Sequence, residues 1–333
     1  MRSTFLSGLT LAALLLATPA QAATKSAART SETAPKSAAL TSKTAFKVDP
    51  YRAMRCSFLR TLAGTQIATE NELDLLNDGN DGQIDNWSLA KATLVICGVE
   101  DPEQQKHYFA QLNKIEAECK KATAGIRSPK ARAEALGKFL LKGPMHGGYV
   151  SGQSDFIKLL NTGTFNCVSS ATLYNLMAPR VGIQVRTVTI CGHVFSRALD
   201  FDIEPTSGDV YNLDDRASRS LKNRTVVNSS IAPYQEQIFR ETGNVGLLSS
   251  MYNNNANEFL GKKQYAMSVA TYLKAACLDP GDPGTVYNLR VTLATWINDC
   301  KAHNKPKLAA SIQNFENAVL RPYEETVLKV ATK

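Results

Sequence analysis

Across 333 residues the sequence has no Cys-x-x-Cys pair and only four histidines, at 107, 146, 193 and 303. A structural zinc site needs closely spaced Cys and His ligands, so that class is set aside. No apolar run reaches the ~20 residues that a membrane-spanning helix needs. The basic excess is also thin where it would matter. The formal net charge is +8, but Arg2, together with five bases against one acid between residues 23 and 47, carries most of it. From residue 48 onward the chain is nearly neutral and without a basic stripe, so a nucleic-acid partner has no electrostatic footprint. Wholesale disorder is excluded by 44% hydrophobic and 20% charged residues.

The first residues read as a leader. Arg2 supplies a positive start, Leu9–Ala17 an apolar stretch of signal-peptide length, and Ala20-Gln21-Ala22 a small-x-small cleavage site. No Cys comes after that site to suggest a lipid anchor. The expectation is a signal peptide over 1–22 and a secreted or periplasmic protein that is not integral to the membrane once cleaved. Residues 23–47, rich in Ala, Ser, Thr and Lys, are expected to be a disordered linker. From 48 to 142 the pattern is helical. Pro102 and Pro129 mark helix starts, and Tyr108, Leu112, Ile115 and Cys119 fall on one face. Between helices, Asn77–Asp85 has the rhythm of a calcium loop. With Asn77 as its first position, Gly79 and Ser88 stand where a carboxylate and the bidentate Glu are required, so a polar turn is the better expectation.

From Gly143 the texture changes. A Gly-rich link leads to a short helix near 155–160, then Phe165-Asn166-Cys167 opens another to about Ala178. Residues 185–190, 193–199 and 201–204 read as strands, with a tight turn at Asp200. The order is a helix carrying Cys167, a strand opening on His193 and a strand ending in Glu204. A cysteine at a helix N-terminus, capped by Asn166, sits where unpaired N–H groups favour negative charge. A nucleophilic thiol also needs a base and a carboxylate behind it, roles open to His193 and Glu204. Asp202, on the same strand face as Glu204, is the reserve carboxylate, and Gln153 is a candidate oxyanion donor. The bland alternative is a buried Cys, a structural His and a strand-end Glu. Seven cysteines are an odd number for an exported chain; Cys56, Cys97, Cys119, Cys277 and Cys300 are expected to be buried, and Cys191 lies two residues before His193.

Gly163–Asn175, with Gly192-His193-Val194-Phe195 and Ile203-Glu204-Pro205-Thr206, resembles the bacterial transglutaminase-like superfamily. That resemblance implies an α+β fold with a papain-like core at 143–232, a Cys-bearing helix packed on an antiparallel sheet. It implies Cys167 as nucleophile, His193 as base and Glu204 as the third member, where the wider superfamily has Asp. Tyr252, Ala256, Phe259, Tyr265, Ser268, Tyr272, Ala275 and Pro280 resemble a tetratricopeptide repeat. A looser copy has Leu289, Trp296, Ser311, Phe315, Ala318 and Pro322, giving a repeat tail over 246–322. The expected activity is hydrolysis or acyl transfer at an amide or peptide bond, on a protein or peptide substrate, with no cofactor and no metal. The rival expectation is a non-catalytic module that binds an envelope protein through the repeat tail.

Overall fold

The computed structural model describes residues 51–65, 67–190, 192–198, 200–212 and 240–331. The leader, the linker, Cys191 and residues 213–232 of the expected core lie outside them. The chain is α+β, mostly helical with a small antiparallel sheet. Helices α1 (Arg52–Thr65), α2 (Glu70–Asp78), α3 (Leu89–Ile96), α4 (Pro102–Ala122) and α5 (Pro129–Lys142) come first. Their starts reflect local chemistry. Thr69 and Glu72 form a reciprocal capping box on α2, while Asp101 and Ser128 cap α4 and α5 just ahead of Pro102 and Pro129. Leu112, Ile115 and Cys119 are buried on α4, with Tyr108 packed against the core beside them. In the Asn77–Asp85 stretch, Asn77 and Asp78 end α2, Gly79–Asp81 form a single 3₁₀ turn, and Asp78 accepts the Asn86 N–H at 3.1 Å.

Next come β1 (Gly148–Tyr149), α6 (Phe156–Thr162), β2 (Thr164–Phe165) and α7 (Cys167–Met177). After them lie β3 (Arg186–Ile190), β4 (His193–Arg197), β5 (Phe201–Glu204), β6 (Asp209–Asn212) and β7 (Arg240–Glu241). The five-stranded sheet runs β6-β5-β4-β3-β7, and every neighbouring pair is antiparallel. Strand β4 ends at Arg197, short of the expected 199, because Ala198 turns back to accept no further rung and instead donates to the Phe201 carbonyl. Helix α7 is buried along its whole length. Its Asn175 is the bolt to the sheet: Nδ2 donates to Thr187 on β3 at 2.9 Å, and Oδ1 accepts from Ser196 on β4 at 2.6 Å. On the far side, α5 meets the β5–β6 turn so closely that a Cβ on Gly137 would lie 2.8 Å from the Gly208 Cα.

The C-terminal helices are α8 (Gly243–Gly261), α9 (Tyr265–Leu278), α10 (Pro283–Ala302), α11 (Pro306–Phe315) and α12 (Arg321–Ala331). Small residues set the α8–α9 crossing: Ser249 donates to the Ala275 carbonyl and Ser268 to the Ala256 carbonyl, an antiparallel register. Pro280 comes just after the end of α9 as expected of a closing proline. Pro322 does not close a helix. It sits within a continuous helical run, just after a π-helical stretch at Glu316–Leu320 that joins α11 to α12 and loosens the ladder where the proline lacks its N–H.

One apolar cluster runs from Phe58 to Val327 without interruption. Across it, Lys274 on α9 donates to both carboxylate oxygens of Glu72 on α2, at 2.8 and 2.7 Å, and Tyr252 donates to the same Glu at 3.1 Å. Cys119, Cys277 and Cys300 are buried as expected, whereas Cys56 is exposed on α1 and Cys97 is half-buried. Among the described residues, no helix is long and apolar enough to cross a membrane.

Candidate active site

Cys167 occupies the first position of α7. Asn166 caps the helix, its Oδ1 accepting the N–H groups of Val168 at 3.0 Å and Ser169 at 3.1 Å, while Ser169 Oγ accepts the Asn166 N–H. The Cys167 N–H has no acceptor among the described residues, so it points out with the positive end of the helix. The thiol is 8% exposed.

His193 arrives from the sheet. Ile190 and His193 are paired across the β3–β4 hairpin, and the turn just before His193 needs Gly192, whose φ is +74°. Ser196 pairs with Ile203, which brings the end of β5 alongside the start of β4. His193 Nε2 lies 2.7 Å from Glu204 Oε2, and Thr206 Oγ1 donates to Glu204 Oε1 at 2.7 Å. The imidazole also stacks over Phe195, two residues on along the same strand face. Burial alone would lower the His193 pKa. Its hydrogen bonds to Cys167 and Glu204 and the negative charge of both outweigh that, and the group is held up at about 9. Cys167, His193 and Glu204 thus meet in one place, from three separate elements.

Two other expected residues do not join them. Asp202 is 1% exposed and accepts from Arg197 at 2.7 and 3.1 Å, so its carboxylate neutralises a guanidinium rather than facing His193. Gln153 is buried, not solvated. Its Nε2 donates to the carbonyls of Thr164 at 2.6 Å and Asp155 at 3.2 Å, which uses both amide hydrogens and leaves none for an oxyanion. Its role is to brace the loop beneath Cys167, since its own carbonyl accepts from Ser169 Oγ.

Thr206 and Tyr149 were not singled out by sequence reasoning. Thr206 stands two residues after Glu204, a spacing at which a hydroxyl can reach back to a carboxylate. Tyr149, 54% exposed on β1, packs edge-on against Phe165. Burial first, and then the negative charges of Cys167 and Glu204, raise its pKa, placing the phenol on the rim of the site.

Cys167 and His193 open into a cleft of about 330 Å³ whose opposite wall is made by α8 and α10. A larger cleft of about 940 Å³, lined by Arg52, Cys56 and Arg240 among others, touches none of the three residues. Compared with protein-family models, curated proteins and solved structures, the chain has no match.

Proposed function

We propose that this chain is an exported thiol enzyme acting on amide or peptide bonds through Cys167, His193 and Glu204, on a papain-like, transglutaminase-like core with tetratricopeptide-like repeats after it. The observation that carries this is the placement of the imidazole: His193 is hydrogen-bonded to Glu204 and lines one cleft with Cys167, the first residue of a helix. Glu204 on Nε2 leaves Nδ1 to exchange a proton with the thiol. The Cys167 sulfur attacks the carbonyl carbon, and the oxygen takes up the electron pair within reach of the Cys167 N–H. As the tetrahedral species collapses, His193 gives its proton to the departing amine and a thioester remains. Water then yields the acid, or a second amine yields a new amide, with His193 taking the proton from either. The leader-like residues 1–22 support export.

The test is iodoacetamide alkylation at neutral pH, read cysteine by cysteine by peptide mass spectrometry. Cys56, exposed and unpaired, serves as the ordinary thiol in the same molecule. Burial, with the charges of Glu118 and Glu116 next in weight, pushes the Cys119 thiol up to about 12, so it is expected to be slow. Cys167 is expected to react ahead of Cys56 and to lose that lead in His193→Ala. A Cys167 no faster than Cys56, with no change in the variant, would overturn the reading.

A further inference from the structure

A cleft of about 450 Å³ lies where the α4–α5 loop meets the turn that leaves α7, and it shares no residue with the cleft of Cys167 and His193. Lys120 on α4, Arg127 in the loop, Arg132 on α5 and Arg180 after α7 all line it. The four cations are scattered along the sequence, where they form no stripe, and the fold gathers them.

The protein itself fixes most of them in place. Arg132 donates through Nε and Nη2 to the Ile126 carbonyl, at 3.0 and 2.7 Å, and through Nη1 to the Val181 carbonyl at 3.2 Å. Two of its five N–H groups remain. Arg180 is half-buried and donates from Nη1 to Glu116 at 2.5 Å, and Lys120 donates to the other oxygen of that carboxylate at 2.6 Å. Arg127 is exposed and has no hydrogen-bond or ion-pair partner among the described residues.

The ordinary role of such cations is to answer helix ends. Against the four positive charges stand Glu116 and the C-terminal ends of α4 and α7, about half a negative charge each, so an excess of about two remains. Glu118 falls on the opposite side of α4 from Glu116 and Lys120 and does not line the cleft. Such an excess suits a doubly charged anion. Three guanidinium forks also need more acceptor oxygens than the two of a carboxylate, and a tetrahedral oxyanion supplies them. No aromatic side chain is among the described residues of this cleft, so it gives a nucleobase or a sugar ring nothing to stack on.

We propose that this cleft is a binding site for a phosphate group, free or carried as a lipid headgroup, separate from the thiol. Because Arg132 and Arg180 are already held, binding costs little further ordering of side chains. The site stands whether or not Cys167 is a nucleophile.

The test is calorimetric titration of the full chain with inorganic phosphate at constant ionic strength, set against acetate, in wild type and in R127Q/R180Q. Cosedimentation with vesicles of phosphatidylcholine, with and without phosphatidylglycerol, is the second arm. The expected result is saturable phosphate binding, tighter than that of acetate, that weakens at least about tenfold in the variant, as the loss of a charge-assisted hydrogen bond requires. Vesicle capture that needs phosphatidylglycerol, is competed by phosphate and is lost in the variant would make the headgroup the source. Phosphate binding without such capture would make it the free anion. No saturable binding in either arm, acetate binding as tight as that of phosphate, or binding that survives R127Q/R180Q, as binding by the bases before residue 48 would, overturns the site. Thermal melts report the fold of the variant. If it unfolds, Arg127→Gln alone, at an exposed side chain, carries the same comparison.

Discussion

Replacing Glu204 by Gln keeps the shape of the contact to His193 and removes its charge. Because the His193 pKa is raised to about 9, the folded state binds its proton more tightly than the unfolded chain does. The stability this contributes is complete below about pH 6.5 and is lost as pH rises through about 9. In Glu204→Gln the His193 ring is expected to titrate at lower pH, and the alkaline loss of stability to begin earlier. Proton NMR of the ring and thermal melts against pH would check both. Turnover of a substrate would show the same group as its alkaline limit, since only protonated imidazole can hand a proton to the leaving amine. Much of this was legible in sequence. An Asn–Cys helix start, a His at a strand start and a Glu at a strand end each have a local reason to be where they are. Asp202 and Gln153 were not legible, because a half-buried arginine claimed one and two backbone carbonyls the other, and both partners are set by tertiary packing.

At the scale of elements, two contacts position the strands that carry the site. Arg197 bridges Asp202 on β5 and Glu241 on β7, tying the far edge of the sheet to its middle. Asp202→Ala leaves the half-buried Arg197 guanidinium with Glu241 alone and is expected to cost about 1–2 kcal/mol in urea denaturation, while folded protein keeps a fast Cys167. That outcome separates the carboxylate that pairs with Arg197 from the one that holds His193 on the same strand. Gly137→Ala should lower the melting temperature although alanine favours helix by about 1 kcal/mol, since its methyl group would collide with the Gly208 backbone. The helices of the first half were readable from their caps, prolines and apolar spacing. The short strands were not: β1, β2 and β7 are two residues each, too brief for any alternation to show. Strand β7 exists only because a distant stretch of chain returns to the edge of β3.

For the whole molecule, boundaries drawn at 143 and 246 are changes of sequence texture, and the buried cluster runs across both. Lys274→Ala would leave the buried Glu72 carboxyl without its cation, with the Tyr252 hydroxyl and the Thr69 N–H its remaining donors. The expected cost is about 3 kcal/mol, in a single cooperative transition that near-UV and far-UV circular dichroism report together. Sequence texture could not reveal this pairing, since neither residue's own helix gives a reason for its charge to be buried. The two partners stand 202 residues apart along the chain. Closing so long a loop is entropically costly until the packing on both sides repays it. The contact between α2 and α9 therefore forms only once α9 is made. Truncation of the chain before Lys274 would leave Glu72 without its cation.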